Sequence, residues 1–335
     1  MKCIFYNHLL YIKKGENFVA NSLNTGTLKV VQKKKRNVVV KKIKNDWEVY
    51  LMGFLVVVFY LMFMYYPMYG AVIAFQNYSP GNGFLGSEWV GFKHFVDFIT
   101  SPDFWRLLKN TLSISVTNLI FGFPTPIIFA LLINEITQNK FKRLVQSITY
   151  LPHFISIVVL CGLIKTFVGN GGLISNLLSP FIGENVDMLT RSNMFLPIYV
   201  ISDIWQGLGW SSIIYIAALT AIDAQLYEAA QLDGAGKFRQ LIHITLPGIA
   251  PTIIVMLILR IGSLLGVGYE KVILLYNPLI YDKSDIISSY VYRTAFEGQQ
   301  WSYTTAIGLF NSIINFVLLV TANTLSKKLT DSSLW

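Results

Sequence analysis

Residues 225–247 read QLYEAAQLDGAGKFRQLIHITLP, a polar segment rich in small residues between two long apolar stretches. Within it, Glu-Ala-Ala at 228–230 is followed after three residues by Gly234. After nine more come Ile244, one residue, and then Leu246-Pro247. Alanines, a fixed glycine and a helix-breaking proline beside a membrane are typical of an element that docks a soluble partner.

The chain around this segment is apolar in long blocks. It has 335 residues, of which 53% are hydrophobic and only 13% are charged, and its mean hydropathy is +0.51. Crossing the roughly 30 Å hydrocarbon core of a bilayer takes about 20 apolar residues. We therefore predict an all-α integral membrane protein with a polar arm at 1–46 and a membrane domain at 47–335. Six spans are expected, at 48–70, 108–133, 148–168, 194–222, 244–268 and 303–325.

The formal net charge of +9 is unevenly distributed along the chain. If the N-terminus is cytoplasmic, 18 Lys and Arg residues lie on the inner side and 7 on the outer side. The positive-inside rule then places both termini, and the 223–243 loop, in the cytoplasm. We interpret the basic run at 33–36 as a topology determinant, with a nucleic-acid or anionic-lipid patch as the alternatives.

Residues for catalysis or metal binding do not form a recognisable motif. The one Gly-Lys pair, Gly236-Lys237, is followed by Phe238, so there is no phosphate-binding Walker A sequence. No HExxH motif or Cys/His cluster is present; the histidines and cysteines are scattered at His8, His94, His153, His243, Cys3 and Cys161. We expect a protein that is not an enzyme and that binds no metal or cofactor itself.

The 223–243 loop is predicted to form a knob of two short helices. Strong helix formers at 225–233 predict a helix of about two turns. Gly234 should end this helix, because glycine adopts positive φ at little energetic cost. A second helix should begin near Lys237 and continue into the fifth span. Ala229 and Ala230 allow close approach to a partner groove, while Glu228 can complement the helix dipole or pair with a basic residue of the partner. The alternative is an ordinary loop between spans.

The spacing from Glu228 to Pro247 resembles the EAA loop of permease subunits of binding-protein-dependent ABC importers. Within that family the chain is most similar to the LplB-like permeases for polysaccharides and oligosaccharides. The closer likeness lies in YEAAQLDGAG at 227–236 and GYEKVILLYNP at 268–278. Related sugar permeases usually end the second stretch in Thr-Gly-Gly-Pro, whereas this chain has Tyr276-Asn277-Pro278.

The resemblance implies a type I ABC importer permease fold with six spans in a bacterial cytoplasmic membrane. It implies import of an oligosaccharide that an external substrate-binding lipoprotein delivers. The expected partners are a second, non-identical permease and two cytoplasmic ATPase subunits, which would bind ATP and Mg²⁺. The residues expected to dock the ATPase are Tyr227, Glu228, Ala229, Ala230, Asp233, Gly234, Leu246 and Pro247.

Two ionisable residues inside predicted spans mark a candidate substrate path, because charges in the membrane tend to face a bundle interior or a watery cavity. Asp203 begins a helical face with Gly207 and Trp210, and Arg260 begins another with Ser263. We expect these residues to line a central cavity, with Trp210 as a stacking platform. Asp203 and Arg260 are expected to pair when the cavity is empty. The alternatives are a structural ion pair and snorkelling to the outer surface.

Resemblance to the maltodextrin permease gives these positions further weight. Asp203, Gly207 and Trp210 fall where that permease contacts sugar, and Arg260, Ser263 and Leu264 fall on or beside its sugar-lining positions. The residue types mostly differ. In the sixth span, Asn311 lies four residues before Asn315. These amides fit either hydrogen bonding to sugar or bonding between helices.

Three other functions are compatible with parts of the sequence. A membrane glycosyltransferase or acyltransferase would need a catalytic cluster, and a channel or scaffold would need no energy source. An ABC importer for a non-sugar solute, such as a glycerol phosphate, would have the same kind of docking loop.

Pro124 and Pro126 should kink the second span, either as a moving part or as a packing kink.

Overall fold

The computed structural model describes residues 45–182, 187–330 and 333–334. The predicted arm lies almost wholly outside these residues, as does the basic run at 33–36. The chain divides into two compact units, Met1–Tyr66 and Pro67–Trp335. All of the contacts described below lie within the second unit.

The described residues are almost all helical. In chain order, α1 to α17 are Trp47–Tyr60, Tyr66–Met68, Gly83–Gly86, Lys93–Ile99, Phe104–Thr117, Pro124–Glu135, Asn139–Tyr150, Ile157–Val168, Leu173–Ile182, Ser192–Thr220, Ala224–Leu232, Lys237–Gln240, Leu246–Gly262, Tyr269–Leu275, Tyr281–Ser284, Ile287–Phe296 and Trp301–Thr330.

Short irregular turns and one small hairpin connect these helices. π-helical turns cover Leu61–Tyr65, Asn118–Gly122 and Leu241–Thr245, and 3-10 turns cover Tyr69–Phe75, Leu151–Phe154, Met188–Thr190 and Pro278–Ile280. Strands β1 (Gln76–Asn77) and β2 (Glu88–Trp89) pair antiparallel, with Gln76 opposite Trp89.

Four helical stretches are long and apolar enough to cross a membrane: Trp47–Phe75, Phe104–Glu135, Lys237–Gly262 and Trp301–Lys328. Two bent helix pairs also qualify if each pair is one span. The predicted all-α membrane fold is confirmed. The count of six spans, with both termini inside, stays a prediction.

The third predicted span, 148–168, is wrong as a single straight helix. Helices α7 and α8 meet there at 100°. A 3-10 turn containing Pro152 ends α7, and the Ser156 side chain accepts a hydrogen bond from the Val159 N–H to cap α8. The 12 residues of α8 span about 18 Å at 1.5 Å per residue, less than the hydrocarbon core. Hydropathy averaged over a window that includes the bend does not reveal the bend.

The fifth predicted span, 244–268, also ends early, at Gly262. Irregular backbone follows, and it is stable at this depth because side chains of other helices satisfy it. The bonds are Ser115 Oγ to Leu264 O, Leu265 N to Asn315 Oδ1 (3.0 Å), Asn311 Nδ2 to Leu265 O (3.2 Å) and Ser288 Oγ to Val267 O (2.6 Å). Asn311 thus bonds the backbone that follows α13, which is closer to the structural alternative than to a bond with sugar.

Helix α10 is the central element of the second unit. It packs on α6, α7 and α13, and its apolar side chains enter two buried clusters, one around Phe195 and one around Tyr215. At Gly209 a Cβ atom would stand 2.3 Å from the Thr149 carbonyl oxygen, so only glycine permits this close crossing with α7. This packing fixes the face of α10 that carries Asp203.

Candidate functional site

Two cavities of about 290 and 160 Å³ lie between the α5–α6 junction, α10 and α13. Four residues line both: Asn118, Asp203, Arg260 and Ser263. The larger cavity is completed mainly by Gly122, Gly207, Ser211 and Tyr215, and the smaller by Ser115, Tyr199 and Leu264. The structure thus brings Asp203 and Arg260 to one place, as the sequence predicted.

The partners of Asp203 differ from those expected. Its Oδ2 accepts a hydrogen bond from Asn118 Nδ2 at 2.6 Å, and its Oδ1 lies 3.3 Å from Lys271 Nζ. The expected pairing of Asp203 with Arg260 is therefore wrong for this state. The physical reason is that Lys271, brought in by the irregular backbone after Gly262, already occupies the carboxylate.

Lys271 lies on α14 with only 6% of its side chain exposed. Its Nζ donates to the Tyr199 carbonyl at 3.1 Å and lies 4.6 Å from the centroid of the Tyr199 ring. From the sequence, Lys271 is expected to be a charge on the outer side of the membrane. The one sequence feature that points to its burial is its position directly before an apolar run, Val-Ile-Leu-Leu.

Asn118 begins the π-helical turn that ends at Gly122, directly before α6. The two prolines predicted a distortion in this span, and it lies one turn before them. A Cβ at position 122 would stand 2.0 Å from Asn118 Oδ1, so glycine leaves room for the amide that bonds Asp203. π-turns inside α-helices are frequent at functional sites.

Arg260 remains without a side-chain partner. It is exposed and lines both cavities. Across the described residues, no hydrogen bond or ion pair joins its guanidinium to another side chain. Ser263, one turn later, donates to the carbonyls of Leu259 and Arg260 at 3.2 Å each.

Trp210 does not line either cavity, so its predicted role as a platform there is wrong. Its ring stacks on His153, with 4.5 Å between centroids and 3° between planes. The cavity face of α10 carries Gly207, Ser211 and Tyr215, spaced four residues apart. Trp210 falls beside this face, where the turn at Leu151–Phe154 packs against α10.

A second polar cluster ties α5 to α16. Asp285 is fully buried and accepts from Arg293 Nη2 at 2.8 Å and Arg106 Nη2 at 3.4 Å. Ser289 Oγ also donates to it, at 2.9 Å. Burial alone would lower the pKa of Arg293, but the hydrogen bonds and charge of Asp285 outweigh burial and raise it. Sequence reasoning missed this cluster, having counted both arginines as outer charges.

The 223–243 loop has the predicted form of two short helices. Asp223 caps α11 by accepting from the Gln225 N–H at 2.9 Å. Gly234 has a φ of +75°, a left-handed conformation that favours glycine. Helix α12 begins at Lys237 and continues through a π-turn into α13.

Polar contacts brace this knob from within. The Tyr227 hydroxyl lies 3.0 Å from Thr245 Oγ1, and Gln240 Nε2 donates to the Ala235 carbonyl at 2.8 Å. Lys237 Nζ lies 3.2 Å from a carboxylate oxygen of Glu135, at the end of α6. The knob is therefore joined to two apolar helical stretches.

The predicted docking residues differ in how far their side chains are exposed. Glu228, Ala229, Asp233, Gly234 and Pro247 are exposed, while Tyr227, Ala230 and Leu246 are half-buried. Two apolar side chains that the sequence analysis did not single out also project outward: Leu232 is 91% exposed and Phe238 is 74% exposed. Within the described ranges, no group of three or more His, Cys, Asp or Glu residues is placed to hold a metal ion.

The chain belongs to the family of binding-protein-dependent transport system inner membrane components, whose model matches residues 122–331. It is 44% identical to the polygalacturonan/rhamnogalacturonan transport system permease protein YteP of Bacillus subtilis, over 91% of this chain and 96% of that protein. It is 43% identical to Protein LplB of the same organism, over 88% and 92%.

Solved structures agree with these relatives. A chain of a bacterial ABC transporter that imports the acidic polysaccharide alginate superposes with a TM-score of 0.80. The two chains are 43% identical, over 87% of this chain and 99% of that chain. A second structure of the alginate transporter, in complex with a periplasmic protein bound to an alginate pentasaccharide, gives the same TM-score at 42% identity, over 88% of this chain and 99% of that chain.

These matches confirm the type I ABC permease fold. The protein is a multi-pass membrane permease of an ABC importer, a transport subunit rather than an enzyme. The transferase, channel and scaffold alternatives are not favoured.

Proposed function

We propose that this permease moves an oligosaccharide through the cavity at Asn118, Asp203 and Arg260, driven from the 223–243 knob. The observation that carries the proposal is the continuous helical stretch Lys237–Gly262. The knob forms one end of this 26-residue stretch, and Arg260 stands near the other end. Movement of the knob therefore acts on the cavity wall directly.

A saccharide substrate is supported by the relatives. Their names refer to polygalacturonan, rhamnogalacturonan and alginate, all of which are sugar polymers. The cavity lining supplies hydroxyl, amide, carboxylate and guanidinium groups, which suit a substrate covered with hydroxyls. An importer for a glycerol phosphate has no comparable support.

The proposed complex contains a second, non-identical permease, two cytoplasmic ATPase subunits and an external substrate-binding lipoprotein. ATP and Mg²⁺ bind to the ATPases. In this arrangement the chain crosses the membrane six times with both termini inside. ATP-driven closure of the ATPases moves the knob, and the cavity changes from outward-facing to inward-facing.

The exposed side of the knob supplies the ATPase contact. Leu232 and Phe238 provide apolar area, while Glu228 provides a charge for a basic partner residue. An apolar anchor surrounded by polar groups is a common form of protein interface.

Co-purification of the ATPase with tagged permease tests this proposal. We expect Glu228→Lys, and separately Leu232→Ser with Phe238→Ser, to remove most of the bound ATPase and the substrate-stimulated ATP hydrolysis. Gln225→Ala, an exposed change at the start of α11, is the matched control and should retain both. Full ATPase binding and uptake in the Glu228 and Leu232/Phe238 variants would contradict the docking role.

A further inference from the structure

The two cavities that share Asn118, Asp203, Arg260 and Ser263, together called the central cavity, hold one positive charge for which the described residues provide no bound carboxylate. Among the residues lining its two parts, only Asp203 and Arg260 are formally charged residue types. Lys271 lies 3.3 Å from the Asp203 carboxylate and compensates it. The Arg260 guanidinium therefore has no carboxylate partner among the described residues.

An uncompensated charge in an apolar stretch that can cross a membrane is costly, so it usually has a role. A guanidinium presents parallel N–H donors whose geometry matches a carboxylate, and such bidentate bonds are among the stronger ones in proteins. Because no carboxylate in the described part of the chain pairs with Arg260, its guanidinium can bind one that arrives with the substrate.

We propose that Arg260 binds the carboxylate of an acidic sugar, and that Lys271 keeps Arg260 available by holding Asp203. This inference rests on the proposed function, and it narrows the substrate to oligosaccharides that contain uronic acids. Lys271 acts only as a positioning residue, because its side chain is 6% exposed and lines neither cavity.

Neighbouring groups fit the rest of such a sugar. The Ser263 proton is directed to the carbonyls of Leu259 and Arg260, so the Ser263 oxygen is free to accept from a sugar hydroxyl. Asp203 is 36% exposed and keeps acceptor capacity beyond its bonds to Asn118 and Lys271. Gly207 leaves space, since the nearest atom to an added Cβ would be 3.8 Å away.

Removing Lys271 should change selectivity without touching the substrate. In Lys271→Met the Asp203 carboxylate loses its cation, and Arg260, which lines the same two cavities, becomes its nearest available counter-ion. The guanidinium would then be occupied, and Asp203 would repel an incoming carboxylate. Replacing Asp203 by Asn in the same protein removes both effects and should restore selectivity.

The test uses the complete importer in liposomes, with its binding protein, ATPases and both permeases. Uptake is measured for a labelled oligouronate and for its carboxyl-reduced, neutral counterpart of equal length. Binding of each sugar to the binding protein is measured separately, and saturating amounts are used. The readout is the ratio of oligouronate to neutral uptake within each variant, so that differences in assembly cancel.

We expect Arg260→Gln to lower this ratio about 10- to 100-fold, the loss expected for a charged hydrogen-bonded pair. Arg260→Lys should retain part of the ratio, Lys271→Met should lower it, and Lys271→Met with Asp203→Asn should recover it. Equal losses for both sugars in Arg260→Gln would overturn the carboxylate role. An unrecovered ratio in the double variant would overturn the positioning role of Lys271.

The two proposals fail in different ways. If the unaltered importer carries neither these two sugars nor any other oligosaccharide that its binding protein holds, saccharide import itself is wrong. If it carries both sugars equally well and Arg260→Gln leaves the ratio unchanged, import stands and acid recognition by Arg260 is wrong.

Discussion

The cytoplasmic knob and the central cavity are built from contacts of very different range. In the knob, Tyr227 meets Thr245 only 18 residues away, and Ala235 N donates to Ala230 O within the same turn. In the cavity, Asp203 meets Asn118 across 85 residues and Lys271 across 68. Local contacts follow from spacing along the chain, whereas distant ones depend on how the helices pack.

Exposure separates the two regions as well. Most of the knob is exposed, so its side chains are available to a partner and contribute little to the core. Asp285 and Lys271, which join distant segments through ion pairs, are by contrast buried. We therefore expect changes in the knob to uncouple the importer while leaving it folded, and changes at buried polar groups to destabilise it.

The largest effect is expected at Asp285, the fully buried charge that joins α5 and α16. Asp285→Ala should leave Arg293 without a counter-ion and Arg106 with only Asp103, and it should lower the free energy of unfolding by about 3 kcal/mol. The midpoint of thermal unfolding in detergent measures the loss. Asp282→Ala, an exposed carboxylate whose Oδ1 accepts from Ser192, is the control and should lose about 1 kcal/mol or less. Equal midpoints for the two variants would contradict the difference between exposed and buried charge.

A smaller loss is expected when a side chain is added at Gly122. Gly122→Val should push the Asn118 amide away from Asp203 and destabilise the subunit by about 1–3 kcal/mol through overpacking. Gly162→Ala is the matched control, because no atom lies within 4 Å of an added Cβ there and alanine favours the helix. If Gly122→Val unfolds at the same temperature as the control, the close fit around Asn118 is wrong.

In the knob, Gly234→Ala should cost about 1–2 kcal/mol locally, because its φ is left-handed. We expect this strain to distort the turn and reduce ATPase binding several-fold, while the thermal midpoint of the permease changes little. Gly236→Ala, at a φ of −68°, should leave ATPase binding intact. A fall in thermal stability as large as that of Asp285→Ala would contradict the separation of the two regions.

The smallest effect is expected at the internal brace of the knob. Tyr227→Phe removes the hydrogen bond to Thr245 and should cost about 1 kcal/mol. We expect a modest fall in substrate-stimulated ATP hydrolysis at unchanged assembly, measured on the purified complex. Thr245→Val removes the same bond and also the bond from Thr245 Oγ1 to the Gln240 carbonyl at 3.4 Å, so its effect should be at least as large. A smaller effect in Thr245→Val than in Tyr227→Phe would show that the bond between the two side chains is not what matters.

The sequence predicted those features that depend on the residues of a single segment. Hydropathy predicted the membrane fold, and helix formers around Gly234 predicted the form of the knob. It failed at α7–α8, where a 100° bend is hidden inside a continuous apolar window. Trp210 was assigned to the cavity because it lies seven residues after Asp203 and so about 20° away around the helix. The cavity face of α10 instead follows four-residue steps, which turn in the opposite direction around the helix, away from Trp210.

Residue order alone determined that this chain crosses a membrane, that the 223–243 loop forms two short helices, and that Asp203 and Arg260 approach one cavity. Those properties depend on composition, on local helix propensity and on fixed spacing. Tertiary structure alone decided that Lys271, rather than Arg260, neutralises Asp203. Which cation pairs with a carboxylate depends on distance in space. The irregular backbone after Gly262 is held by side chains of other helices, and it brings Lys271 Nζ within 3.3 Å of the Asp203 carboxylate.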